Sequence, residues 1–230
     1  VIGNCSLSAA LGKEEEIVDL FARVENIPAK VLSKWLIGNI KWKSVKEYYE
    51  HLDTVPVGPN IASFLGHSNL RMHVMGLERS FKEKNATEEE LQKMEKIVAD
   101  ALDAGFLGVS IDMLPFHRWA GVYASEFTGF SVPSQLAPRS EYKRLANVLR
   151  KRNRVLQITP NAVDKTSFAT ITRLSQGGFF EKTLKTTIVA ALDLKSNERI
   201  YHLLKLLGFI GNKIFRTNMN PIKFYKSEPL

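Results

Sequence analysis

The chain has 230 residues, a formal net charge of +8 and 44% hydrophobic side chains, which excludes an intrinsically disordered or collagen-like polymer and leaves room for a sizeable core. A single cysteine, Cys5, excludes an internal disulfide framework, so nothing argues for secretion and a reducing, cytoplasmic compartment is the default. No apolar run reaches the roughly 20 residues of a membrane-spanning helix, so no membrane partner is expected.

Five short apolar runs recur along the chain, each ending in a polar residue before a turn. The first is Val1–Cys5, followed by Asn60–His67 (NIASFLGH), Gly105–Asp112 (GFLGVSID), Arg154–Asn161 (RVLQITPN) and Thr186–Asp193 (TTIVAALD). Near-continuous Val, Ile, Leu and Phe is how strands buried on both faces of a parallel sheet read. Helices are expected between them. Thr87 with Glu90 three residues on forms a capping box, and Leu91, Met94, Ile97, Val98, Ala101 and Leu102 follow at helical spacing until Gly105. Ser140–Arg152 places Tyr142, Leu145, Ala146 and Leu149 on one face, and Ser196–Leu207 repeats the pattern with Gly208 as its stop.

Strand and helix in alternation predict parallel strands joined by right-handed crossovers. The chain lacks a Gly-x-Gly-x-x-Gly after its first strand and a Gly-x-x-x-x-Gly-Lys loop. An α/β fold of the (β/α)8 barrel type is therefore preferred to an open doubly wound sheet. About five βα units are present, so the barrel is incomplete: residues 1–208 form the partial barrel and 209–230 an extended segment. A start at Val1 inside a strand-like run also reads as an internal piece of a larger protein.

Barrel chemistry sits at the carboxyl ends of strands. Cys5, His67, Ser110 or Asp112, Thr159 and Asp193 would converge there. Cys5 is either a packed thiol or a metal ligand; His67 is read as a substrate contact, with a turn-capping imidazole as the plain alternative. Arg71 would hold a substrate carboxylate or form a surface salt bridge. Asp112 and Asp193 also suit helix or turn caps, and Asn161 suits a turn. His51, His73, His117 and His202 lack ligand spacing and receive no role. The stretch Met113–Pro138 is a long loop whose Trp119, Tyr123, Phe127 and Phe130 would shape an acyl pocket or cover the barrel end. Arg150, Lys151, Arg152 and Arg154 cluster at a helix end without interleaved aromatics, so helix capping is preferred to a nucleic-acid groove.

In order and spacing, VIGNCSLS, ENIPAKVL, GPNIASFLGHSNLRMHVMG, ATEEELQKMEKIVADALDAGFLGVS and RVLQITPN resemble the N-acyl-D-amino-acid deacylase (D-aminoacylase) branch of the amidohydrolase superfamily. The resemblance runs from about residue 1 to the closing NPIKFYKSEPL. It implies a metal-dependent hydrolase with one or two zinc ions, a (β/α)8 barrel, and in full-length members a small β-sandwich. The implied partner is a small N-acyl amino acid, whose amide is hydrolysed by metal-activated water. The family's Gly-Asn-Cys-Gly cysteine, a zinc ligand, maps onto Cys5, with Ser6 in place of the second glycine. From their places at or just beyond strand ends, His67, Arg71, Ser110 and Thr159 are read as the substrate-contacting set. Two departures qualify it: Thr159 stands where the family has a metal-binding histidine, and the family's His-x-His pair and general-base aspartate would lie before Val1 and after Leu230. The stretch alone is therefore expected to be inactive, and the rival expectation is a non-catalytic barrel homologue that has lost its metal set.

Overall fold

The structure is a computed structural model, and it describes residues 1–161, 164–176 and 182–189. Four parallel strands, β1 (Phe64–Gly66), β2 (Gly108–Asp112), β3 (Val155–Thr159) and β4 (Lys185–Ile188), lie side by side in the order in which they occur in the chain. The first run contributes no strand of its own. Ile2 makes a single parallel bridge to Ser63, accepting from Phe64 N (2.9 Å) and donating to Ala62 O (2.9 Å), so the amino terminus lies beside β1.

The strands are shorter than the apolar runs that encode them. In Asn60–His67 the strand ends at Gly66 because His67 already opens a helix, α4 (His67–Met75). Of the Thr186–Asp193 run, the described part is strand through Ile188, and its end at Asp193, like the expected helix Ser196–Leu207 and the segment 209–230, lies outside the described residues.

Side chains alternate across a strand, and here the two faces differ in kind. Leu65, Val109, Ile111, Leu156 and Ile158 pack into the main apolar core. Ser110, Asp112, Gln157 and Thr159 point to the other face, with Ser110 opposite Gln157 and Asp112 opposite Thr159 in the β2–β3 register. The expected burial on both faces holds for β2, every residue of which is buried, but one face is polar.

Helices cover the apolar face. The helix α6 (Glu88–Asp103) begins at Thr87, whose hydroxyl accepts from Glu90 N (3.2 Å) while Glu90 Oε2 accepts from Thr87 N (2.8 Å), the capping box expected from sequence. It buries Met94, Val98, Ala101 and Leu102. The helix α7 (Arg139–Lys151) buries Tyr142, Leu145, Ala146 and Leu149, and α8 (Lys165–Gln176) follows β3 and adds Ile171 and Leu174 to the core. Three helices precede β1, namely α1 (Glu14–Val24), α2 (Ala29–Leu36) and α3 (Val45–Thr54), and α5 (Leu77–Lys82) follows α4. They lie between the first three apolar runs, where the alternation places helices, although no bounds for them are read from the sequence.

The cationic cluster at the end of α7 behaves as helix-end chemistry. Arg152 pairs with Asp103 (3.0 Å) and Arg154 donates to the Leu102 carbonyl (3.3 Å). Among the described residues, no helix is long and apolar enough to cross a membrane.

Close strand packing sets one strict requirement. A Cβ on Gly108 would fall 1.7 Å from the Val155 carbonyl oxygen, a backbone atom that cannot rotate away. Gly108→Ala should therefore destabilise the fold by about 3 kcal/mol or more, read as a lower urea midpoint or loss of folded protein.

Candidate active site at the strand ends

The amino-terminal segment passes from its bridge with β1 onto the polar face of the sheet. Asn4, Cys5, Ser6 and Leu7 form a turn closed by Leu7 N donating to Asn4 O (2.9 Å), with φ of +53° at Cys5 and +65° at Ser6. Two successive non-glycine residues in the left-handed region cost on the order of 1–2 kcal/mol each. Buried hydroxyls offset that cost. Ser110 Oγ donates to Gly3 O (2.6 Å) and accepts from Ser6 N (3.1 Å), Ser6 Oγ and Ser68 Oγ share a bond of 2.7 Å, and Gln157 Nε2 donates to Asn4 Oδ1 (2.9 Å). At about 1 kcal/mol net per bond, these four contacts match the strain.

The turn delivers Cys5 to the end of β3, where Thr159 Oγ1 donates to Cys5 Sγ (3.3 Å). Cys5 is half-buried and packs against the apolar cluster that holds Leu7, Met72, Phe81 and Trp119. Burial pushes the thiol pKa up, the Thr159 bond opposes this, and the Asp112 and Glu25 carboxylates add to the rise.

Asp112 ends β2 directly across from Thr159 and is fully buried. Its Oδ1 accepts from Leu114 N (2.7 Å), the turn-capping bond foreseen for it, and its Oδ2 meets His117 Nδ1 at 2.5 Å. Burial raises the Asp112 pKa against the lowering effect of His117. At His117 burial works downward, but the Asp112 contact and the field of Glu25 prevail, and the imidazole pKa is raised.

His67 and Arg71 lie behind this mouth, on α4, and both are fully enclosed. His67 Nε2 meets Glu141 Oε1 at 2.8 Å, Arg71 Nη1 donates to Glu141 Oε2 (2.5 Å), and Arg71 Nη2 donates to Glu83 O (3.0 Å) and Lys84 O (3.3 Å). Burial holds His67 below the ordinary imidazole range. At Glu141 burial acts upward, but His67 and Arg71 outweigh it and keep the carboxylate ionised. An ionised carboxylate only accepts, so Nε2 carries the His67 proton and Nδ1 accepts from Ser134 Oγ (3.0 Å). Ser134 Oγ in turn accepts from Asp112 N (3.0 Å), and Ser134 N donates to Ser68 Oγ (3.1 Å). One buried polar chain thus joins the Cys5 turn, the end of β2, α4 and α7.

Of the residues singled out in the sequence, Cys5, Asp112 and Thr159 come together at the strand ends. Ser110 sits one residue pair deeper, its hydroxyl proton committed to Gly3. His67 and Arg71 meet Glu141 rather than the mouth. The aromatic loop divides: Trp119 and Phe127 are buried against Phe81, covering the sheet end, while Tyr123 and Phe130 are exposed. Asp19, buried on α1, pins that loop by accepting from the backbone N–H groups of Val122, Tyr123 and Ala124. A cavity of about 340 Å³ beside this loop, lined by Arg23, Asn26, Pro28 and Ala120 among others, involves none of the strand-end residues.

Sequence reasoning missed His117, Glu141, Ser134 and Asp19. Glu141 lies in the first turn of α7, where the helix dipole alone favours an acid, and nothing local to α1 marks Asp19 as buried. For His117 the one available signal was a histidine shortly after a strand-ending aspartate.

No protein-family model matches the chain. Over 222 residues it is 36% identical to uncharacterised proteins of Mycobacterium tuberculosis and Mycobacterium bovis, the match covering 93% of this chain and 35% of each relative. The chain therefore spans about a third of the length of the curated relatives it matches. Among solved structures, a D-aminoacylase described as defining a novel subset of amidohydrolases superposes with a TM-score of 0.57 and 20% identity, covering 89% of this chain and 38% of its own. A D-aminoacylase studied for its binuclear metal centre gives the same values. An N-acyl-D-glutamate deacylase from Bordetella bronchiseptica, complexed with zinc and a phosphonate inhibitor, superposes with a TM-score of 0.52 and 22% identity over 76% of this chain and 31% of its own. This chain shares the fold of part of these hydrolases.

The buried pairs predict a pH signature and a mutational one. Because His67 is held neutral, the unfolded chain protonates first as the pH falls past about 6.5, and stability drops from there downward. The His117 contribution has the opposite sign, complete below about 6.5 and lost as the pH rises through its elevated pKa. In urea titrations from pH 5 to 8, His67→Gln should flatten the acid-side decline and His117→Gln the alkaline-side one. Glu141→Gln should cost about 3–5 kcal/mol at pH 7 by leaving the Arg71 guanidinium buried without its counter-charge.

Proposed function

We propose that the chain is part of a metal-dependent amidohydrolase that cleaves the amide of an N-acyl-D-amino acid, with Cys5 as one protein ligand to zinc. The observation that carries the reading is the Cys5 sulfur, placed by a doubly left-handed turn at the carboxyl ends of parallel strands and touched there by Thr159. The fold shared with D-aminoacylases and with a zinc-bound deacylase supports it. In this reading the sheet is one arc of a closed (β/α)8 barrel, consistent with sequential strand order and helices on a single face.

The residues present fit a metal at one point. A thiol kept protonated by burial is deprotonated when zinc binds, and a hydroxyl donating to the sulfur is the kind of outer contact that tunes a thiolate ligand. Thr159 is then a positioning residue for Cys5 rather than a replacement ligand. Among the described residues no group of three or more His, Cys, Asp or Glu is gathered to hold an ion, so the reading takes further ligands from elsewhere in a longer polypeptide. Bound zinc would polarise the scissile carbonyl and supply a water of lowered pKa. Ser110, His67 and Arg71 act behind the mouth: Ser110 fixes the turn, and the pair on α4 fixes Ser134 and through it the end of β2. The substrate is a small N-acyl amino acid, no nucleic acid is engaged, and the lone free thiol accords with a reducing, cytoplasmic setting.

A second reading, a barrel protein that binds ligand without catalysis, is favoured by Thr159 in place of a histidine. One experiment separates the two. The longer protein containing this chain should carry zinc by elemental analysis and hydrolyse N-acetyl-D-amino acids but not their L-enantiomers, with activity abolished by a chelator. Cys5→Ala should lower kcat/KM by at least ~100-fold and reduce bound zinc. Full zinc content and rate in Cys5→Ala would overturn the ligand assignment, and ligand binding without zinc or turnover would favour the second reading.

A further inference from the structure

Asp112 at the end of β2 and His117 in the loop after it form a hydrogen-bonded pair to which neither ligand spacing nor the fold likeness assigns a role. Asp112 is immobilised on every side: Ser134 Oγ holds its backbone N–H (3.0 Å), Leu114 N holds Oδ1 (2.7 Å), and Oδ2 holds His117 Nδ1 (2.5 Å). The imidazole is equally constrained, since His117 N donates to Leu114 O (3.2 Å) and His117 O accepts from Gln135 Nε2 (3.1 Å). Its other nitrogen differs. The side chain keeps 17% of its surface open, and Nε2 takes no hydrogen bond from any described residue.

A carboxylate that fixes one imidazole nitrogen and leaves the other open at a reaction mouth is the arrangement by which proteins orient a proton-transferring histidine. The dyad stands next to Cys5 through one shared neighbour. Asp112 lies opposite Thr159 in the β2–β3 register, and Thr159 Oγ1 touches Cys5 Sγ.

Resting on the amidohydrolase reading, we propose that His117 is a catalytic residue, the acid that protonates the leaving amine nitrogen as the substrate's amide C–N bond breaks. Attack of water on the amide carbon gives a tetrahedral adduct. When its C–N bond breaks, the electron pair passes to nitrogen, which takes the proton from His117 Nε2–H. The attacking water gives up both of its protons overall: one restores the imidazolium and the other passes to the amine, so the products are a carboxylate and an ammonium. The carboxylates around His117 suit this: Asp112, in direct contact, and Glu25 both favour its protonated form. Asp112 is the positioning residue of the pair.

An amine is a poor leaving group without a proton, whereas the alkoxide of an ester departs with far less help. The test uses the longer, zinc-loaded protein with an N-acetyl-D-amino acid and the matching O-acetyl ester of the D-2-hydroxy acid. In His117→Gln, kcat on the amide should fall roughly 10²–10⁴-fold and on the ester by less than about tenfold, with zinc content unchanged, the protein still folded at the assay temperature and the high-pH limb of kcat/KM gone. Equal losses on both substrates, or an unchanged amide rate, would overturn the acid role while leaving the hydrolase reading in place. Should His117→Gln fail to fold, Asp112→Asn is the second probe: removal of the carboxylate should move the high-pH limb toward lower pH, and a limb that stays put overturns the proposal. A wild-type protein with neither zinc nor hydrolysis would remove the hydrolase reading, and the acid role with it.

Discussion

The structure turns on the hydroxyl of Ser110. It is buried in the middle of the polar face of the sheet, and it accepts from Ser6 and donates to Gly3, on either side of Cys5. Without it, two adjacent left-handed residues would lose two of the four side-chain bonds that offset their strain. With it, the turn is clamped onto β2, and the one thiol of the chain arrives at the end of β3 at a distance fixed by Thr159. Gly3 is required at the start of this turn, since it has φ +79° and a Cβ there would fall 2.0 Å from the Phe64 carbonyl oxygen. The Val-Ile-Gly-Asn-Cys opening is thus a single mechanical unit in which backbone conformation, close strand approach and thiol placement depend on one another.

The division of the sheet into an apolar and a polar face makes such a clamp possible. Leu65, Val109, Ile111, Leu156 and Ile158 are removed from water by α6, α7 and α8, and this burial supplies the favourable free energy of the fold. The opposite face carries groups that must find partners, because an unpaired buried polar group costs on the order of 1–3 kcal/mol. Ser110 and Asp112 find theirs in the amino-terminal turn and in the loop after β2. The polar face therefore organises whichever segments cross it, which is how distant parts of the sequence come to share one mouth.

Behind the mouth, Glu141 sets the electrostatics. It fixes the tautomer of His67 and compensates Arg71, and through Ser134 the resulting order reaches the backbone of Asp112. A buried charge set of this kind adds little net stability over apolar packing. Its value here lies in geometry, since it ties α4, α7 and the end of β2 into a fixed relation. Asp19 does the same for the long loop, whose Trp119 and Phe127 close the sheet end.

Local chemistry made much of the fold legible. The capping box at Thr87 and the apolar stripes of α6 and α7 follow from interactions within a turn or two of helix, and the strand runs announce themselves by Val, Ile and Leu packed without interruption. The strand-end positions of Asp112 and Thr159 were legible for the same reason, because a strand's end is marked by the residues around it, whereas Cys5 reaches that place on a turn and ends no strand of its own. The roles of His67, Arg71 and His117 were not. His67 and Glu141 are 74 positions apart, and Ser6 and Ser110 are 104 apart. No periodicity encodes which of two polar side chains will be buried against the other. Sequence determined the parallel α/β plan, and tertiary contacts decided the turn that carries the thiol, since Ser110 holds it from 104 positions away. Tertiary packing alone decided that His67 and Arg71 are enclosed while His117 stays open, because burial of a charge is settled by the partners that folding brings from elsewhere in the chain.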